Sequence, residues 1–204
     1  MKRFRFVPLA LVFIFLTAFS DSEKTYIRKI EKHRKEIHKE FQNPETSPFR
    51  QAAGDFHGLD YFPPDPAYRV TAKVSLTPEA AAFEMPTSDP KRNKKFVSYA
   101  KLTFSLKGET FELIAYRNLQ LAGIKQYEDH LFLPITDLTT GVETYGGGRY
   151  MDISLPKGNT LVLDFNLLYN PYCAYSDGWS CPIPPKENFL NTRLEAGVKN
   201  YADH

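Results

Sequence analysis

The sequence predicts a mainly β fold at the margin of α+β. The expected form is an antiparallel sheet curled into a barrel or two-layer roll, with one N-terminal amphipathic helix and a long ordered C-terminal loop. Three observations predict it. Alternating apolar segments recur from about residue 68 to 168 with no helical period between them. Fifteen prolines and 14% aromatic residues suit a loop-rich sheet protein with bulky packing better than a helical bundle. Helical periodicity is confined to about residues 22–42.

Residues 1–20 read as a signal peptide. Lys2, Arg3 and Arg5 form a basic head, Phe6 to Phe19 is an apolar run broken only by Pro8 and Thr17, and Ala18-Phe19-Ser20 supplies small residues for cleavage before Asp21. A membrane span needs about 20 apolar residues, more than this run offers. No Cys follows the run, so there is no thiol for lipid attachment. The expectation is an exported protein, periplasmic or extracellular, with no stable membrane span after cleavage and residues 21–204 as one β-rich domain. Export also changes the charge: 26 basic residues less these three leaves 23 against 24 acidic, a net charge near −1. That balance lacks the electrostatic footprint of a nucleic-acid partner.

In the helix, Tyr26, Ile30, Ile37 and Phe41 form one narrow apolar stripe, and Glu31 and Lys35 stand at i,i+4 spacing. The seven basic residues from Lys24 to Lys39 read as a solvated outer face. His33 and His38, five apart, do not share a face as a metal pair would. Asn43-Pro44 ends the helix, because proline disfavours helical geometry in the residue before it. Ser47-Pro48-Phe49 and Phe56 to Pro64 then form an aromatic-anchored loop over the core.

Tyr68 to Leu76 is the first strand, with Val70, Ala72, Val74 and Leu76 on one side. Phe96 to Leu106 and Thr110 to Ala115 form a hairpin around Lys107-Gly108. His130 to Ile135 is a further strand. Tyr150 to Leu155 and Thr160 to Leu168 are expected to form a second hairpin around Pro156-Lys157-Gly158-Asn159, placing Asp164 and Asn166 side by side on one face. A carboxylate among bulky apolar residues needs a wet face or a cation. Arg149, just before the partner strand, is the expected cation, with Glu143, Asp152 and Asp164 as possible acids for it.

The candidate site follows from this region. Glu143-Thr144-Tyr145-Gly146-Gly147-Gly148-Arg149 combines close backbone approach with a guanidinium, suited either to an anionic ligand or to a tight bend in which Arg149 meets an acid. Downstream, Tyr169 to Asn188 is too rich in proline for regular structure but carries Tyr172, Tyr175, Trp179 and the amides Asn170 and Asn188, equally suited to stacking on a ligand or to closing a barrel end. The only two cysteines, Cys173 and Cys181, form a short disulfide clip in an oxidising compartment; the alternative is two buried thiols. No G-x-S-x-G, H-E-x-x-H, P-loop or C-x-x-C is present, and no cofactor or metal site is predicted.

Glu143 to Tyr150, Asp164-Phe165-Asn166, Tyr169-Asn170-Pro171, Cys173-Ala174-Tyr175, Cys181 to Pro185 with Glu187-Asn188, and Glu195-Ala196-Gly197 with Lys199 resemble the bacterial family of uncharacterised proteins called domain of unknown function 1684. The loop from Phe56 to Tyr68 resembles it too. The resemblance implies one domain and brings no established activity. Val198 stands where the resemblance leads one to expect an acid before Lys199, which puts a charged role there in doubt. The functional expectation is binding of a small polar or anionic ligand by Glu143, Tyr145, Arg149, Asp164, Asn166, Asn170, Trp179 and Asn188. The alternatives are a hydrolase using a carboxylate such as Asp164 or Glu143, and a purely structural envelope protein.

Overall fold

The computed structural model describes residues 20–49 and 56–201, so the predicted signal peptide, apart from Ser20, lies outside the described residues. Helix α1 (Asp21–Gln42) starts with a reciprocal capping box. The Ser20 hydroxyl accepts from the Glu23 N–H, and the Glu23 carboxylate accepts from the Ser20 N–H. Along the predicted stripe, Ile30 and Phe41 are buried, and Tyr26 and Ile37 half-buried.

Eight strands follow: β1 (Arg69–Leu76), β2 (Phe83–Met85), β3 (Lys94–Leu106), β4 (Glu109–Asn118), β5 (His130–Asp137), β6 (Arg149–Ser154), β7 (Thr160–Asp164) and β8 (Phe189–Leu190). They form a half-barrel in the order β6-β5-β4-β3-β1-β7, with β2 on β3 and the short β8 running parallel to β5. The other pairings are antiparallel. The first hairpin forms as predicted. Leu106 pairs with Glu109 across Lys107 (φ 51°) and Gly108 (φ 85°), the left-handed pair that a two-residue turn requires.

The second hairpin does not form. β6 pairs with β5 and β7 pairs with β1, so they lie at opposite ends of the sheet order. β7 also stops at Asp164, whose carboxylate accepts from the Asn166 N–H and opens a 3-10 turn over Phe165–Leu167. Asp164 and Asn166 are therefore joined by a turn rather than by strand alternation. A short polar side chain that satisfies its own backbone two residues on competes with the ladder, and here it ends the strand.

Two apolar layers result. The larger fills the half-barrel with Leu102, Leu113, Leu131, Leu163 and Phe165, closed by Leu190, Leu194 and Ala196 from the C-terminal segment. The smaller holds Met85, Phe96, Tyr116, Phe132 and Tyr150. A bulge between Ser98 and Ala100 separates the two. One extra residue reverses the alternation, so Phe96 and Leu102 belong to different layers despite their even spacing. β5 is buried on both faces, sending Leu131, Leu133 and Ile135 to the larger layer and Phe132 to the smaller.

β4 and β5 pair at Tyr116–Phe132, and beyond that point Asn188 stands between them. Its Oδ1 accepts from the Ile114 N–H at 2.8 Å, and its Nδ2 donates to the carbonyls of Ile114 at 2.9 Å and Pro134 at 2.8 Å. Pro134 has no N–H to offer β4, so a ladder rung is missing there. The Asn188 amide replaces it.

Helix α1 is tied to this scaffold at both ends. Near its start, the Tyr26 hydroxyl donates to Asp164 and accepts from Asn166, each at 2.8 Å. Near its end, Phe41 packs with Phe49, Phe56 and Tyr175. No helix among the described residues is long and apolar enough to cross a membrane.

Candidate functional site

A cavity of about 690 Å³ lies against the smaller apolar layer, between α1, the ends of β3 to β6 and the loop that follows β7. Phe96, Phe132 and Tyr150 form its floor, while Tyr169, Tyr172, Tyr175 and Trp179 come from the predicted aromatic loop. An apolar, aromatic wall with a few placed polar groups is the general form of a small-molecule site.

The polar groups are unevenly satisfied. Asp152 accepts from the Tyr169 hydroxyl at 2.8 Å and lies 2.7 Å from His130 Nε2. Burial, reinforced by that carboxylate, raises the Tyr169 pKa well above its ordinary value, so the phenol keeps its proton and donates. Lys94 and Arg34 have no carboxylate within salt-bridge distance among the described residues, and burial lowers the pKa of both. Arg34 lies over the Tyr61 ring, 4.3 Å from its centroid. Its Nε and Nη2 meet no acceptor, and neither does Asn170 Oδ1 meet a donor. Such atoms are uncommon in folded proteins, and each costs free energy.

The eight predicted site residues divide. Asn166, Asn170 and Trp179 line the cavity; Glu143, Tyr145, Arg149, Asp164 and Asn188 do not. Trp179 is held by its indole N–H, which reaches the Pro48 carbonyl at 3.1 Å and Ser176 Oγ at 3.0 Å, and its ring meets Tyr172 edge-on. Asn166 bonds Asp65 through both its amide groups. Glu143 pairs with Arg193 at the surface, and the Tyr145 hydroxyl donates to the Cys173 carbonyl at 3.4 Å.

Arg149 corrects the sequence reading most sharply. Its expected partner, Asp164, is instead bonded to Tyr26 and Asn166 and lies 3.9 Å from Arg69 Nε. Arg149 is 1% exposed and donates to Asp137 at 2.9 Å and to the carbonyls of Leu194, Ala196 and Val198. Asp137 in turn accepts from the N–H groups of Thr139 and Leu194. The glycines before Arg149 serve this packing. Gly148 has φ 81°, and a Cβ there would lie 2.7 Å from the Ile135 carbonyl oxygen. The Gly-Arg segment is thus a tight bend feeding a buried clamp on the C-terminal segment.

Cys173 and Cys181 are at disulfide distance, with Cα atoms 6.3 Å apart. The closed loop contains Trp179 and adjoins Tyr172, so the bond restrains part of the cavity wall. Replacing both cysteines with serine, or adding dithiothreitol, is expected to lower stability by about 2.5 kcal/mol, the loop entropy for this short separation. An unchanged melting temperature under reduction would count against the bond.

The profile of one family, described as proteins of unknown function (DUF1684), matches residues 54–199. The chain belongs to this DUF1684 family. It is also similar to the solution NMR structure of an uncharacterized protein from Haloarcula marismortui, with TM-score 0.67 and 35% identity over 90% of this chain and 99% of that one. No curated protein matches the chain. The DUF1684 match includes the clamp, the aromatic loop and the strands of the cavity floor, whereas α1, which carries Arg34, precedes it.

Sequence reasoning missed Arg34, Lys94, His130 with Asp152, and Tyr169 as one group. For Arg34 a signal existed. It lies four residues after Ile30 and three before Ile37, on the apolar stripe itself, so it belongs to the docked face. The meeting of His130 with Asp152 had none, because it depends on the β5–β6 register, which pairs Phe132 with Asp152.

Proposed function

We propose that this DUF1684 protein is an exported binding protein whose ligand is a small anion with an apolar body, held in the cavity beneath α1. The observation that carries this reading is the pair of cations, Arg34 and Lys94, lining an aromatic cavity without a carboxylate partner among the described residues. A desolvated cation without an acid is costly, and an incoming anion relieves that cost. The expected ligand class is retained from the sequence; of its expected seat, the Gly-Arg segment plus the aromatic loop, the loop is kept and the Gly-Arg segment gives way to α1 and Lys94. The basic-apolar N-terminal segment and the disulfide-distance cysteine pair support export to an oxidising compartment.

Anilinonaphthalene sulfonate, an aromatic anion that fluoresces when desolvated, tests the cavity directly. Saturable one-to-one binding by the folded protein is expected, weakened about tenfold or more by Arg34→Gln or Lys94→Gln, since each removes a charge-assisted contact. Affinity unchanged in both variants would overturn the proposal. Circular dichroism and cooperative melting would establish that the signal comes from folded protein.

A further inference from the structure

Three polar side chains meet on β5 and β6 beside the aromatic cavity. His130 pairs with Ser154, and Phe132 pairs with Asp152. Tyr150 turns both its N–H and its C=O to Tyr169, so its backbone faces away from β5. Alternation extends this to Asp152 and Ser154, which therefore occupy narrow, non-hydrogen-bonded pairs, where facing Cβ atoms lie about 5 Å apart. Residues two apart on a strand share a face, so Ser154, His130 and Asp152 stand together. All three line a depression that adjoins the cavity, and His130 and Asp152 line the cavity as well. The group is open to solvent: the His130 and Asp152 side chains are 23% and 49% exposed, and Ser154 is exposed.

The hydrogen bonds of the group orient the imidazole. Tyr169 donates to Asp152 Oδ2 at 2.8 Å, and Asp152 Oδ1 lies 2.7 Å from His130 Nε2. A carboxylate only accepts, so it holds the imidazole proton on Nε2 and leaves Nδ1 with a lone pair. Nδ1 and Ser154 Oγ each have no hydrogen-bond partner among the described residues. An orienting acid, a base with a lone pair and an unengaged hydroxyl opposite that base are the parts of an activated serine, which is recognised by geometry and not by a sequence motif.

We propose that Ser154 is a nucleophile for the hydrolysis of esters with a small apolar acyl group, with His130 as its general base and Asp152 as the positioning residue. Rotation of the serine hydroxyl about χ1 brings Oγ to Nδ1. Nδ1 takes the Oγ proton as Oγ bonds the ester carbonyl carbon, and the alcohol leaves with that proton as its bond to the carbon breaks. Water then gives a proton to Nδ1 and its oxygen to the acyl carbon; the bond to Oγ breaks, and Oγ recovers the proton. The sum consumes one water and yields an alcohol and a carboxylic acid. The adjoining aromatic cavity sets the preference for an apolar acyl group. Once ionised, the acid belongs to the class of anion proposed above as the ligand. The assignment goes beyond that reading and uses neither Arg34 nor Lys94.

A fluorophosphonate tests the nucleophile directly, because Oγ displaces its fluoride and keeps the phosphonyl group. Mass spectrometry of the full mature chain should place one phosphonyl group on Ser154. The label should be absent from Ser154→Ala and form at least about a hundredfold more slowly in His130→Gln, whose amide can still donate to Asp152. Hydrolysis of 1-naphthyl acetate or 1-naphthyl butyrate should be saturable and fall by a similar factor in both variants. Asp152→Asn should lower kcat and leave KM within about twofold, a split that loss of folded protein does not produce. No label on Ser154 overturns the proposal, as does labelling at the wild-type rate in His130→Gln or turnover that survives in Ser154→Ala. If anilinonaphthalene sulfonate binds while neither ester is hydrolysed, the catalytic site fails and the binding function stands.

Discussion

Arg149→Met is expected to destabilise the protein by about 3–5 kcal/mol, the cost of removing one partner from a buried ion pair. The reason is the company the guanidinium keeps. Asp137 and Arg149 are each 1% exposed at the side chain, so the surviving carboxylate cannot turn to solvent. The carbonyls of Leu194, Ala196 and Val198 lose their donor in the same step, and Leu194 and Ala196 cover the larger apolar layer. Burial lowers the arginine's pKa, and the Asp137 charge opposes that shift, so the buried guanidinium depends on that carboxylate. Urea denaturation would read the loss. Removing Asp137 as well, as Asp137→Leu on Arg149→Met, should recover part of it, because an unpaired buried charge costs more than an absent pair. A loss below about 1 kcal/mol for the single variant would show that the clamp contributes little. Affinity for anilinonaphthalene sulfonate should survive in whatever Arg149 variant remains folded, since Arg149 does not line the cavity.

The second large effect is expected at Asn188. Asn188→Leu keeps the approximate volume but leaves the N–H and C=O of Ile114 and the C=O of Pro134 without partners. At about 1–3 kcal/mol for a buried unmatched group, the combined loss should reach roughly 3–4 kcal/mol, less than a simple sum because the strands can shift. Asn188→Asp adds a pH signature. An ionised carboxylate keeps an acceptor for the Ile114 N–H but turns a charged oxygen toward two carbonyls. Protonation is therefore favoured in the folded state, and the folded pKa of the new group rises above its unfolded value near 4. The variant should be least impaired below about pH 4 and lose stability as pH rises through the folded pKa. A wild-type-like stability for the leucine variant would mean that β4 and β5 do not depend on this amide.

The disulfide and cavity measurements address a different part of the molecule. Both concern the loop after β7, which lies over the smaller apolar layer, whereas Arg149 and Asn188 secure the sheet and its C-terminal cover. Loss of ligand affinity and loss of stability should consequently separate. Arg34 and Lys94 variants should affect the first, and Arg149 and Asn188 variants the second.

Much of the fold was legible because it is local. The stripe of Tyr26, Ile30, Ile37 and Phe41, the stop at Asn43-Pro44, the alternation in β1 and the Lys107-Gly108 turn each rest on interactions within a few residues. The same logic failed at β6 and β7. Their short spacing and intervening Pro-Lys-Gly-Asn look like a hairpin, yet β5 and β1 offer longer and better matched partners. The bulge at Ser98–Ala100 was equally hidden, since even spacing from Phe96 to Leu106 suggests one continuous face.

Periodicity, turn chemistry and long motifs are written along the chain, and they suffice for a mainly β fold with one amphipathic helix, an ordered aromatic loop and family membership. Where the charges went depends on the packing of distant segments. It placed Arg149 on Asp137, Asp164 on Tyr26, and Asn188 between two strands, and it left Arg34, Lys94 and Asn170 facing a cavity. The physical reason is that a buried polar group takes whichever partner the packed backbone brings within hydrogen-bonding distance. That partner is fixed by strand order and register, over separations that no local pattern records.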